Sequence, residues 1–174
     1  PSLEFPYQHR ATLSNGTKVL LAERPGLPVV QISMQFEGAG FASDSGGKDG
    51  LASFTMGMMD EGAGQLGALA FADRAESLGA IISTGGSLDT SSVSLSALKE
   101  NLNDSLSLYT SVLLNPRFDQ AEIDRVRASW IAQIKQEKAV PTGIGGRTLR
   151  KQVYGSGHPY AVPSSGLGEE SSIA

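Results

Sequence analysis

The sequence predicts an α+β fold, a mainly antiparallel sheet with helices packed on one face. Two stretches, "VVQISMQFEG" and "DTSSVSLSAL", alternate apolar and polar residues, the period of a half-buried strand. Other stretches repeat their apolar residues every three to four positions, the period of an amphipathic helix. The order is a strand pair, a strand, two helices, two strands and then three helices. Strict alternation of strand and helix, the mark of a parallel sheet, is missing.

Taken in order, "TLSNGTKVLLAE" sets Asn15-Gly16 between two extended runs, the strongest short hairpin signal. In the next strand Val30, Ile32, Met34 and Phe36 face one way, and Gln31, Ser33, Gln35 and Glu37 the other. "GAGFASDSGGKDG" reads as a flexible turn. "GLASFTMGMMDEG", residues 50–62, reads as one amphipathic helix with Leu51, Phe54 and Met58 as its apolar stripe. "LGALAFADRAESLG" is a second helix stopped at Gly79. "AIISTGG" and "DTSSVSLSAL" follow as strands. In the second, Val93, Leu95 and Ala97 alternate with Ser92, Ser94 and Ser96. A helix over residues 100–114 places Leu102, Leu106, Tyr109 and Leu113 on one side, and Asn115-Pro116 ends it. "DQAEIDRVRASWIAQIKQEK" opens with Asp119 as N-cap and Glu122 three residues on, and buries Ile123, Val126, Trp130 and Ile134. A last helix covers residues 145–154.

The length of 174 residues fits a single domain, residues 1–174, with enough chain to bury a core. Hydrophobic residues make up 40% and charged residues 18%, which suits a soluble globular protein. A net charge of −4 supplies no basic footprint for nucleic acid. The absence of cysteine excludes a disulfide scaffold and a thiolate metal site, and leaves the redox compartment open. No apolar run approaches the roughly 20 residues of a membrane span. The chain begins at Pro1 with no signal-peptide pattern and ends in "GLGEESSIA", a loop followed by the start of a helix. These ends read as those of a piece excised from a longer protein.

Several landmarks share an order and spacing with a known family. They are "LSNGTKVLLAE", "GKDGLASF", "LGAIISTGGSLDTSSVSLSAL", "EIDRVRASWIAQIKQE" and "YGSGHPYA…SGLGEES", which together cover almost the whole chain. On these stretches the sequence resembles the pitrilysin/insulysin family of zinc metallopeptidases, whose half-modules also build the mitochondrial processing peptidase. The resemblance implies a C-terminally truncated half-module. In the family, the helix after the Gly-Leu-Ala turn carries His-x-x-Glu-His, with two zinc ligands one turn apart and a general base between them. A further Glu on a later helix completes the zinc site.

Laid on this sequence, the first His falls on Ser53, the Glu on Met56, the second His on Gly57 and the downstream Glu on Gln133. None of the four is a zinc ligand or base of the expected kind. The resemblance therefore implies the fold without the metal: no catalytic residue, no metal residue and no cofactor in this domain, with zinc expected in a catalytic partner. Helical spacing puts Ser53, Met56 and Gly57 on one face. Counting from Val126 and Trp130 turns Gln133 inward as well, so the four degenerate positions are expected to meet. Gly57 then leaves room for close approach by another group.

Other candidates have plainer readings. His158 in "GSGHPY" lacks a second His or acid at metal spacing and reads as a turn residue; His9 reads as solvated. Asp60, seven residues after Ser53, reads as an acid at a helix end facing water. Asp60 and Glu61 are neighbours about 100° apart on a helix, so they make no acid/base pair. Met56, Met58 and Met59 read as core filling before they read as an adaptable peptide surface. "STGG" with "SLDTSS" lacks the Gly-Lys-Ser/Thr of a phosphate loop. "GIGGR" opens the last helix and follows no strand, a weak anion signal.

By resemblance, the strand around Ile81, Ile82, Ser83, Thr84 and Gly85 lies near a sheet edge where peptide adds as an extra strand, through main-chain hydrogen bonds. The alternative is an edge covered by a neighbouring domain. The expected function is the non-catalytic half of a zinc metalloendopeptidase assembly, walling a chamber and positioning a peptide substrate for a catalytic domain or subunit of the same family. Two alternatives stand beside it: a purely structural scaffold module, and a hydrolase with a site rebuilt from Asp60, Glu61 or His158. A periplasmic location is implied by the resemblance alone.

Overall fold

The structure, a computed structural model, describes residues 6–24 and 26–173. The reading of the chain's first and last residues as cut ends falls outside these. Strands β1 (Gln8–Thr12) and β2 (Lys18–Ala22) form the expected hairpin, in register from Gln8 opposite Ala22 to Thr12 opposite Lys18. Gly16 takes the left-handed conformation that the turn needs. The hairpin is a two-stranded sheet of its own, exposed along both strands.

Strand β3 (Val29–Glu37) belongs to the main sheet and leads, through a loop, to helix α1 (Leu51–Met58). Two short antiparallel strands, β4 (Gly62–Ala63) and β5 (Leu66–Gly67), connect it to helix α2 (Ala68–Ser77). Strands β6 (Ile81–Gly86) and β7 (Thr90–Leu98) complete the main sheet. Helices α3 (Leu102–Leu114), α4 (Gln120–Ala139), α5 (Pro141–Tyr154) and the short α6 (Glu170–Ile173) follow.

The main sheet has the order β3-β7-β6, antiparallel throughout, so β7 is central and β6 is an outer strand. Centrality explains the burial of β7. Val93, Leu95 and Ala97 are almost wholly shielded and join Met56, Phe71, Leu108, Tyr109 and Val112 in the core. The Tyr109 hydroxyl donates to the Val93 carbonyl at 2.9 Å, which satisfies the one polar atom that this ring brings inside. The opposite face of the sheet stays open and polar, with Ser94 donating to Ser33 across the strands at 3.2 Å.

Several boundaries differ from the periodicity. Helix α1 ends at Met58, so Asp60 and Glu61 lie beyond it. Of its predicted apolar stripe, Met58 is buried, Phe54 half-buried and Leu51 exposed. On α3 the buried line is Ser105, Leu108, Tyr109 and Val112, while Leu102, Leu106 and Leu113 pack at its margin. Leucine spacing alone missed Ser105, which enters the core because its hydroxyl bonds the Asn101 carbonyl one turn back at 2.8 Å. Asp119 sits at the N-cap of α4, but its side chain bonds none of the helix amides, because Arg117 holds the carboxylate at 2.7 and 3.2 Å.

Helix α5 starts at Pro141, not residue 145, since proline suits the first helical turn. "GIGGR", residues 143–147, therefore lies within the first turns of the helix and does not open it. Arg147 within it is buried. Its guanidinium bridges Glu137 at 2.8 Å and Glu169 at 2.7 Å and donates to the Gly168 carbonyl at 2.6 Å. This knot ties α4, α5 and the segment before α6 together.

Candidate functional site

The start of α1 is fixed by its loop. Gly50 is left-handed, and a Cβ there would lie 2.6 Å from the Leu167 carbonyl oxygen, so glycine alone fits. Asp44 supplies the missing cap: its carboxylate accepts from the Gly50 amide at 2.8 Å and the Ala52 amide at 3.0 Å. The sequence reading took this loop as a flexible turn. Asp44 lies six and eight residues before its partners, too far for a local capping pattern to reveal it.

The four positions that the resemblance singles out have different surroundings. Ser53 lies between the end of β6 and the loop near the C-terminus; its Oγ is 3.9 Å from where a Cβ on Gly86 would stand and 2.8 Å from one on Gly166. Met56 is buried in the core beside α2, α3 and β7. Its carbonyl accepts from the Thr84 hydroxyl at 2.6 Å, pinning the end of α1 to β6. Gly57 faces the Trp130 indole, whose nearest ring carbon would lie 3.3 Å from a Cβ at that position. Gln133 is exposed, which corrects the expectation that it turns inward. The inward line of α4 is Val126, Trp130 and Ile134, and Gln133 sits about 100° from Ile134.

Trp130 is the group that sequence reasoning placed in the core without seeing its role. Its ring meets Phe54 edge-on at 5.5 Å, and its Nε1 donates to the Leu167 carbonyl at 2.9 Å. It thus fills the space in front of Gly57 and anchors the residue 166–168 segment over α1. A tetrahedral zinc needs three protein donors around an open position. Ser53, Gly57 and an outward Gln133 do not supply them, and among the described residues no three His, Cys, Asp or Glu side chains stand close enough to hold a metal.

Asp60, Glu61 and His158 occupy three different settings. Glu61 is ion-paired with Arg125, which also holds Glu122 at 2.7 Å. His158 lies in a turn, stacked on Tyr154 at 5.1 Å, and its Nδ1 accepts the Tyr160 amide at 3.0 Å. His9 is exposed on β1, 3.6 Å from Glu23. Asp60 is half-buried, and desolvation, reinforced by neighbouring Glu61, raises its pKa. Met58 is buried, and Met59 packs partly buried against the cluster that contains Met56, as core filling requires.

The predicted strand edge is an edge. Strand β6 pairs only with β7, and its other side is unpaired among the described residues. Ile81 and Ser83 point to the open face of the sheet; Ile82 and Thr84 point to the helices.

This arrangement is an α+β module in which the Trp130 indole packs against α1 at Gly57. Residues 18–156 match the family described as Insulinase (Peptidase family M16), and the chain belongs to that family. It is 26% identical over 155 residues to the "Non-peptidase homolog YmxG" of Helicobacter pylori, a match covering 89% of this chain and 35% of that protein. Among solved structures, a peptidase M16 inactive domain from Pseudomonas fluorescens is similar with a TM-score of 0.88 and 28% identity, over 95% of this chain and 40% of the other. Pitrilysin shares the fold with a TM-score of 0.74 at 17% identity, over 97% of this chain and 18% of its own. The chain thus spans well under half the length of these relatives.

Proposed function

We propose that this chain is a non-catalytic module of an insulinase-type peptidase assembly, which walls a chamber and presents a peptide to a zinc-bearing catalytic domain or subunit elsewhere. The observation that carries the reading is the Trp130 indole packed against Gly57, where the family pattern requires a histidine ligand. The similarity to an inactive domain and to a non-peptidase homologue supports it. The free edge of β6, from Ile81 to Gly85, supports the peptide-presenting part. Unpaired backbone groups on an outer strand accept an extended peptide, and the small side chains of Ser83, Thr84 and Gly85 leave the approach clear. A periplasmic location goes with this reading by family resemblance only.

The test is zinc stoichiometry followed by reconstitution. The purified chain is loaded with zinc and freed of excess by gel filtration, and metal is counted. The reading expects less than about a tenth of an equivalent per chain, since no ligand set is available. Adding the catalytic partner should then raise peptide cleavage. Near one equivalent of zinc, lost on replacing Asp60 or His158, would sink it in favour of a rebuilt hydrolase site. No effect on the partner's turnover would favour a purely structural scaffold.

A further inference from the structure

A cleft of about 550 Å³ opens between α2 and β6. Its floor is apolar: Phe71 and Ala75 from the helix, Ala80 and Ile82 from the strand side. No residue of β7 lines it, so it lies on the unpaired side of β6. Two carboxylates border it, Asp60 and Glu76. Among the described residues neither is ion-paired. Arg74, near Glu76 in sequence, is held by Asp104 at 2.8 Å, and Glu61, next to Asp60, is held by Arg125. Asp60 is half-buried, and leaving a carboxylate partly desolvated without a cation is unfavourable. An apolar trough ending in uncompensated negative charge is complementary to an aliphatic stem with a positive head.

We propose that this cleft takes a basic side chain, Lys or Arg, of an extended peptide paired along the free edge of β6. Successive side chains of an added strand point to opposite faces of the sheet. Those directed to the helix side would enter the cleft beside Ile82, and their neighbours would lie over the serine-rich open face. Main-chain pairing supplies the affinity, and the cleft supplies the preference for charge. The inference rests on the peptide-presenting reading of β6 and adds to it a class of peptide.

The test uses the 174-residue chain and two short fluorescein-labelled Ser/Val peptides, identical except for a central Lys in one and norleucine in the other. Norleucine keeps the aliphatic stem and removes the charge. Fluorescence anisotropy should give the Lys peptide a Kd roughly three- to tenfold lower, the range of a charge-assisted contact near the surface. Asp60→Asn together with Glu76→Gln should bring the two peptides level. N-methylation of alternate residues should weaken both peptides by blocking strand pairing. Equal binding of the two peptides, both sensitive to N-methylation, would overturn the basic preference and leave the peptide-presenting reading intact. A Lys preference that survives the double substitution would place the attraction elsewhere and overturn the assignment. Binding of neither peptide would overturn both readings.

Discussion

Gly57 and Trp130 form a matched pair, one lacking a side chain where the other needs space. A histidine at 57 would drive its ring into the indole, and overpacking of this kind costs about 1–3 kcal/mol. Gly57→His should therefore lower unfolding stability by that amount in urea titrations. The loss should shrink when Trp130→Ala is added, because residues in contact are not additive. Asp60 offers a second residue-level prediction, with the opposite sign. Its pKa is raised above the ordinary 3.8 by burial, so its contribution to stability is full below that value and lost as pH rises through the raised one. At neutral pH the ionised carboxyl is a burden on the fold. Asp60→Asn should leave the chain at least as stable at pH 7 by thermal melting, and the gain should vanish in acid. Ser53, Met56 and Gly57 were legible as candidate positions because the family resemblance assigns them along the chain. The outward turn of Gln133 was not. A one-position difference on a helix swings a side chain by about 100°, and spacing from Trp130 alone does not decide between Gln133 and Ile134.

Strand β7 shows the element scale at its most legible. Its alternation of Val93, Leu95 and Ala97 with serines is the burial pattern itself, since a central strand packs one face on helices and opens the other. Leu95→Ala should cost about 2–5 kcal/mol, whereas Ser94→Ala on the open face should stay within about 0.5 kcal/mol, both by chemical denaturation. Helices α4 and α5 were less legible, because their joint depends on charge. Arg147 lies buried between Glu137 and Glu169, and its replacement by Met should cost about 3 kcal/mol by stranding the carboxylates. Burial pulls the Glu169 pKa up, but its contacts with Lys138 and Arg147 outweigh this and hold it below the ordinary 4.5. Its share of stability is therefore present above pH 4.5 and lost as pH falls through the lowered value. An acid titration of Glu169→Gln should lack that portion of the loss. An arginine in a helix reads from sequence as a solvated charge, and only the approach of residues 168 and 169 makes this one part of the core.

At the scale of the whole molecule, the main sheet has three strands and the β1–β2 hairpin stands apart from it, with Leu20 and Leu21 exposed. Leu20→Gln should change stability by less than about 0.5 kcal/mol while reducing any self-association seen by sedimentation. The sequence by itself determined the α+β class, the strand faces and the hairpin, and it singled out Ser53, Met56, Gly57 and Gln133 as candidate positions. These follow from short-range periodicity and from matching a pattern along the chain. Tertiary structure alone decided what those positions meet. Trp130 comes to Gly57 across 73 residues, and the Leu167 loop closes over α1 from more than 100 residues away. It also turned Met56 into the core, set Asp60 beside an apolar cleft and left one edge of β6 without a partner strand among the described residues. Periodicity fixes the angle of a side chain about its own axis; which surface arrives there is set by long-range packing, which no local pattern encodes.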